Sequence, residues 1–453
     1  MIKLKKNTLF PQKTSTVSIK TMELKALNLT PEEMFILLCC RQAVKQDAAK
    51  DIDSLLGHNL DWTTVEYMIG LHGIAGFALA ALSQHAHRTD VPDTLIERLK
   101  QQGLKNFLKN HLYVQEFHKL VKACSLGQIR LVPLKGIAFL TSLYAHNTAL
   151  RSLSDIDILF EKIDIERVED ILVPLGYQTE HMDARAESRA FHSAYGRRVS
   201  GFTLLIEAHW DFDYADSPYK IDIADMRQRS REIKTDIGTY YELSIEDTLI
   251  LNCFHILRHI PKGPDVLLYL KNFCDIALLL KMHGGTIDWE CILQRSRHYN
   301  VIRPVGMVLL LVRDLLGAKD IPCTVFKALQ AEGFQEDFAA CAVREYIFNP
   351  SKAERKSLPF LMVDIATAVG LREKIKIIIG APKIFLSLYR ARYYERYGRS
   401  TPRALAHITW YYSRKAAAAF ALWVRAPRKA AQLQKKRVAV NRKTQAAIDW
   451  LRG

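Results

Sequence analysis

The chain has 453 residues, 49% of them hydrophobic and 25% charged. That size and apolar share can bury a large core spread over more than one domain, and the ordinary charge fraction excludes wholesale disorder. The net charge of +16 is uneven: residues 351–453 hold 23 Lys and Arg against 5 Asp and Glu, and the remainder is close to neutral.

Residues 1–22 are polar, basic and aperiodic, the pattern of a flexible tail. Residues 23–125 read as an N-terminal helical region. Thr30-Pro31-Glu32-Glu33 offers an N-cap, a proline at the first helical position and a capping-box glutamate, followed by Met34, Leu37, Leu38 and Val44 at helical spacing. A helix is expected over 61–84, with Trp62, Val65, Met68, Ile69, Leu71 and Ile74 on one broad face. Pro92 restarts a helix through Leu95, Leu99, Leu104 and Phe107.

The texture changes over 126–225. A β-rich run at 129–134 ends at Lys135-Gly136, and a helix follows over 137–144. A strand over 155–160, a helix over 165–172, a strand opening at Gly176-Tyr177 and a strand over 202–208 complete an α/β core. Residues 226–350 return to helix, with Ser244 as N-cap of a segment at 249–260 and further helices over 267–280 and 289–297. The expected class is therefore α+β: a small mixed-sheet core flanked by N-terminal and C-terminal helical regions.

Residues 351–453 form a basic region of helical pattern. Tyr389, Tyr393, Tyr394 and Tyr397 interleave there with Arg390, Arg392, Arg396 and Arg399. Helix packing with outward basic groups explains this first, a membrane surface second and single-stranded nucleic acid third. Eight cysteines without a Cys-x-x-Cys pair suit reduced thiols. No secretory signal is visible, and no uncharged apolar run reaches the ~18 residues of a transmembrane helix. The expected location is cytoplasmic, at most peripheral to a membrane.

Chemistry concentrates in Leu134-Lys135-Gly136 and in Arg151-Ser152-Leu153-Ser154-Asp155-Ile156-Asp157-Ile158-Leu159-Phe160. Alternation along a strand puts Asp155 and Asp157 on one face and Ile156, Ile158 and Phe160 on the other. Two carboxylates side by side repel unless a cation lies between them. Mg²⁺ takes oxygen ligands and keeps phosphate oxygens in its shell, so the pair suits a metal–triphosphate site. Glu207 and His209 share a face of a later strand, opposite Leu204, Ile206 and Ala208. If the two strands are neighbours, Glu207 completes a three-carboxylate cluster able to hold two cations. Gly136 at a strand-to-helix corner lets backbone amides approach a phosphate, and Lys135 or Arg151 can neutralise it. Ser154 and His209 lie beside these groups in the pattern.

The Lys-Gly…Arg-x-x-x-Asp-Ile-Asp pattern resembles the nucleotidyltransferase superfamily, and most closely its bacterial branch of uncharacterised nucleotidyltransferases. Trp62, His72-Gly73-Ile74, Leu134-Lys135-Gly136, Gly176-Tyr177, Glu207-Ala208-His209-Trp210, His255 and Asp275 fall in that family's order, over roughly residues 30–320. The Gly-Ser or Gly-Gly pair of many relatives is replaced by Gly136-Ile137. The resemblance implies Asp155, Asp157 and Glu207 as Mg²⁺ (or Mn²⁺) ligands and catalytic carboxylates, with an NTP as substrate. Lys135, Gly136, Arg151, Ser154 and His209 are the expected nucleotide-binding residues. The rival expectation is a weakly active protein of the same fold that docks on a membrane or nucleic acid through its basic C-terminus. His255 and His259 at i, i+4 lack the glutamate of a zinc protease, because Ile256 stands next to His255.

Overall fold

The computed structural model describes residues 27–85, 90–179, 191–214, 217–258, 260, 266–348 and 442–452. The tail at 1–22, His259 and the Tyr/Arg-rich segment lie outside these residues. Local chemistry sets the first helix. The Thr30 hydroxyl accepts from the Glu33 amide at 3.2 Å, and the Glu33 carboxylate accepts from the Thr30 amide at 2.8 Å, closing the capping box on α1 (Pro31–Lys45). The single helix expected over 61–84 is two, α3 (Trp62–His72) and α4 (Ala75–Leu82). Gly73, at φ 66°, takes the left-handed turn that breaks it. Between them and α1 lies α2 (Ala49–Leu56).

The long helix α5 (Asp93–Leu126) then leads to the sheet. Strands β1 (Val132–Leu134), β2 (Ile156–Leu159), β3 (Gln178–Thr179), β4 (His192–Val199) and β5 (Phe202–His209) pair in the order β1-β2-β5-β4-β3. Only β2 and β5 run parallel; the other pairings are antiparallel. This is the mixed sheet of an α+β fold. The helix α6 (Lys135–Leu140) follows β1 directly, and α7 (Ile165–Leu172) follows β2.

β4 has no counterpart in the sequence reading. It is one arm of a hairpin whose two-residue turn, Ser200-Gly201, has positive φ at both positions (49° and 82°). That is the turn geometry that matches the twist of paired strands. Ile156, Ile158, Leu204, Ile206 and Ala208 are wholly buried, so the apolar sides of β2 and β5 face the core as alternation requires. A second hairpin, β6 (Arg231–Thr235) with β7 (Gly238–Glu242), leans on α5 through Tyr240 and Phe117, whose rings meet edge-on at 5.6 Å.

After the sheet come α8 (Ile223–Gln228), α9 (Ile245–Leu257), α10 (Leu270–His283), α11 (Trp289–His298) and α12 (Ile302–Leu316). Ser244 caps α9, accepting from the Asp247 amide at 3.1 Å. The central α12 is buried almost along its whole length, and α1 packs on both α10 and α12. The helices before and after the sheet therefore share one core. α13 (Cys323–Ala331) and α14 (Glu336–Ala342) extend it. A last helix, α15 (residues 442–452), returns to this layer: the Trp450 indole donates to the Glu332 carbonyl at 2.7 Å, and Ile448 and Leu451 are buried. All eight cysteines are free. Among the described residues no helix is long and apolar enough to cross a membrane.

Candidate active site

The loop leading into β2 is held from three sides. From α5, the Asn110 amide donates to the carbonyls of Thr148 (2.6 Å) and Arg151 (2.7 Å), and the Tyr113 hydroxyl donates to the carbonyl of Ser154. From α4, Gly76 lies so close that a Cβ there would meet the Leu150 Cα at 2.4 Å. From α10, Asp275 takes the Arg151 guanidinium in a two-pronged pair at 2.8–3.0 Å and also accepts from the Tyr144 hydroxyl at 2.7 Å. An asparagine, a tyrosine and a glycine on helices thus fix the loop backbone and deliver Asp155 and Asp157 to the start of β2, an inner strand.

The parallel pairing sets Asp157 opposite Glu207 and Leu159 opposite His209. Asp157 is 4% exposed and His209 1%, whereas the Glu207 side chain is 29% exposed. His209 Nε2 lies 2.9 Å from Asp157 Oδ1 and 3.2 Å from Glu207 Oε2. The Lys135 ammonium donates to the same Asp157 oxygen. Lys135 reaches it from a left-handed backbone, φ 47°, unusual for a residue with a Cβ and a local store of strain at the site.

The electrostatics follow from these contacts. Burial pushes Asp157 up, but Lys135 and His209 outweigh it and hold the carboxyl well below the ordinary range. Burial also acts on Glu207, and the hydrogen bond from His209 brings it down. For Asp155 the lowering by Lys135 and Ser154 is outweighed. Burial, then the charges of Asp157 and Glu207, raise it to about 6. A carboxyl raised by its own acidic neighbours is one whose ionised form gains from a bound cation.

Asp157, Glu207 and His209 each offer a ligand atom within 4.8 Å of the others. The compact donor set therefore contains His209, where the sequence had placed Asp155, and Asp155 stands just outside it at the entrance to β2. Two carboxylates and an imidazole fit a divalent ion, with Mn²⁺ and other transition ions suited to the imidazole as well as Mg²⁺ to the carboxylates.

Two expected phosphate contacts have another structural reason. Arg151 is 5% exposed and its guanidinium is committed to Asp275, so it braces the loop rather than facing a ligand. Gly136 is glycine because a Cβ there would lie 2.2 Å from Leu153 and 2.7 Å from the Arg151 guanidinium. The Ser154 carbonyl is held by Tyr113, and its side chain hydrogen-bonds Asp155, lowering it slightly against the larger rises. The reading also missed His192 on β4. It pairs with His209 across the strands, with ring centroids 5.0 Å apart, and its Nδ1 is buried without a hydrogen-bond partner. The Ser-Gly turn between the strands was the only sequence signal for it.

A family model described as Uncharacterised nucleotidyltransferase matches residues 58–317, more than half of the chain. The chain belongs to this nucleotidyltransferase family. The matched span runs from α3 to the end of α12 and so contains the whole five-stranded sheet, the bracing helices and Asp275. No curated protein and no solved structure matches the chain.

Proposed function

We propose that this nucleotidyltransferase moves a nucleoside monophosphate from an NTP to an acceptor hydroxyl or phosphate, with release of pyrophosphate. The observation that carries the reading is the cross-strand pairing of Asp157 with Glu207, with Asp155 close enough that both carboxylates raise it. Asp157, Glu207 and His209, with Asp155 adjacent, would hold Mg²⁺ or Mn²⁺. Such an ion, when bound, would neutralise phosphate charge and make the acceptor oxygen more acidic.

The chain's own groups then divide the work. Lys135, already on the acidic cluster, is placed to neutralise the β and γ phosphates. Glu207, the more exposed carboxylate, takes the proton of the acceptor. The acceptor oxygen bonds to the α-phosphorus, the bond to the bridging oxygen of the β-phosphate breaks, and pyrophosphate leaves with the electron pair. Arg151 and Asp275 keep the loop in place while this happens.

The test uses NTPs labelled at the α-phosphate, a divalent ion and cell extract as the acceptor source. The wild-type chain transfers label to an acceptor, and the Asp155→Asn/Asp157→Asn variant does not. Metal-dependent NTP binding without any transfer would favour the rival reading of a docking protein that keeps the fold.

A further inference from the structure

With Arg151 tied to Asp275, only Lys135 of the two basic residues expected at the phosphates remains on the acidic cluster, while a triphosphate carries about four negative charges. Two other lysines converge on the same place. Lys271 sits one helical turn before Asp275 on α10. Its stem runs over Gly73, where a Cβ would lie 3.1 Å from Lys271 Cδ, and its ammonium donates to the Ser152 carbonyl at 3.3 Å. Lys109 on α5 lies 5.4 Å from the centre of the Tyr113 ring, the ring whose hydroxyl holds the Ser154 carbonyl. The two ammonium groups therefore flank residues 152–154, immediately before Asp155.

Neither lysine has a carboxylate within ion-pair distance among the described residues. Both are half-buried. Burial lowers Lys271 to about 8, with Arg151 adding to the fall, and lowers Lys109 as well; each also feels Asp155, and Lys271 feels Lys109. Half-burying two amines close together, with no carboxylate in ion-pair contact, disfavours their charged forms. The fold accepts that cost at one edge of the acidic cluster, where a bound polyanion would offset it.

We propose that Lys109 and Lys271 form the phosphate-binding arm of the site, gripping the triphosphate end of the substrate from the two helical sides while Lys135 grips it from the sheet. This rests on the nucleotidyl-transfer reading and replaces Arg151 in it. The glycine at 73 then has a second task besides breaking the helix, because it leaves room for the Lys271 stem.

Inorganic triphosphate with Mn²⁺ is the probe, since it removes any dependence on the base. Its affinity is measured by calorimetry for the wild type, Lys109→Gln, Lys271→Gln and the double variant. Mn²⁺ alone is followed by electron paramagnetic resonance, inorganic phosphate is the control ligand, and thermal unfolding checks the fold. Each substitution weakens triphosphate by roughly tenfold, barely changes inorganic phosphate, leaves Mn²⁺ binding in place and does not lower the melting temperature. Wild-type affinity for triphosphate in both variants overturns the assignment and leaves nucleotidyl transfer standing. A fall in melting temperature together with lost Mn²⁺ binding overturns it too, because the lysines would then only support the loop. If the wild type binds neither Mn²⁺ nor triphosphate, the nucleotidyl-transfer reading fails and this assignment falls with it.

Discussion

Asp157 and Glu207 are register partners across the one parallel pair of the sheet, and His209 Nε2 lies within hydrogen-bond distance of both carboxylates. Both partners are acceptors, so in the metal-free protein Nε2 carries the proton, which an ion ligated at that nitrogen would displace. The imidazole and the Lys135 ammonium together hold two acids at a spacing they would otherwise resist.

Removing that bridge should therefore cost both stability and metal binding. His209→Leu leaves two carboxylates facing each other with one cation. A loss on the order of 1–3 kcal/mol is expected from the unpaired buried acceptor, read as a lower urea midpoint. Mn²⁺ affinity should fall at the same time, with partial recovery in His209→Gln. An unchanged midpoint and an unchanged affinity would show that the imidazole is a bystander.

Asp155 gives the pH dependence. Its carboxyl titrates near 6 in the folded protein against 3.8 ordinarily, so between those values the native state holds a proton that the unfolded chain has released. The metal-free protein thus loses stability from this group as pH rises through that window, and the loss levels off above about 6. Asp155→Asn should raise the melting temperature at pH 7, with a gain on the order of 1–2 kcal/mol once the partial exposure of the group is allowed for. Divalent-ion affinity in the wild type should climb up to pH 6 and then flatten. A wild-type stability curve parallel to that of the variant from pH 4 to 7 would contradict this.

Arg151 should behave as a brace. Arg151→Met strands the buried Asp275 and is expected to cost about 3–5 kcal/mol. Asp275→Leu should cost a similar amount, and the double variant less than the sum, since neither charge is then left alone. A variant at 151 that unfolds like wild type but loses triphosphate affinity would return this arginine to the phosphates.

Much of this was visible in the sequence because alternation is a strict rule. Ile156, Ile158, Leu204 and Ile206 had to face the core, which left Asp155, Asp157, Glu207 and His209 on the other side. What stayed hidden depends on contacts distant in the chain. Arg151 and Asp275 are 124 positions apart, and nothing local marks an arginine as already paired. The strand His192–Val199 lacks an apolar alternation, so periodicity could not mark it. The apolar spacing over 61–84 continues smoothly across the left-handed Gly73, so periodicity joined two helices. Leu104 and Phe107, apolar residues of the helix expected after Pro92, are 59% and 48% exposed, because α5 turns its polar Asn106 and Asn110 inward to the loop.

That inversion yields a further expectation at Gly76. A Cβ there would meet backbone atoms of Ala149 and Leu150 at 2.4–2.6 Å, which no side-chain rotation relieves. Gly76→Ala should push α4 away from the loop, destabilise the fold by about 1–3 kcal/mol and weaken Mn²⁺ binding although residue 76 touches no ligand. Gly70→Ala, with nothing within 4 Å of its added Cβ, should be tolerated and serves as the control.

The most direct measurement is calorimetric titration of Mn²⁺ and a non-hydrolysable NTP into the wild type and into Asp157→Asn. Binding should be coupled in the wild type, each component tightening the other, and both the coupling and the Mn²⁺ heat should vanish in the variant. Equal, uncoupled binding by the two proteins would contradict a metal–triphosphate site on β2 and β5.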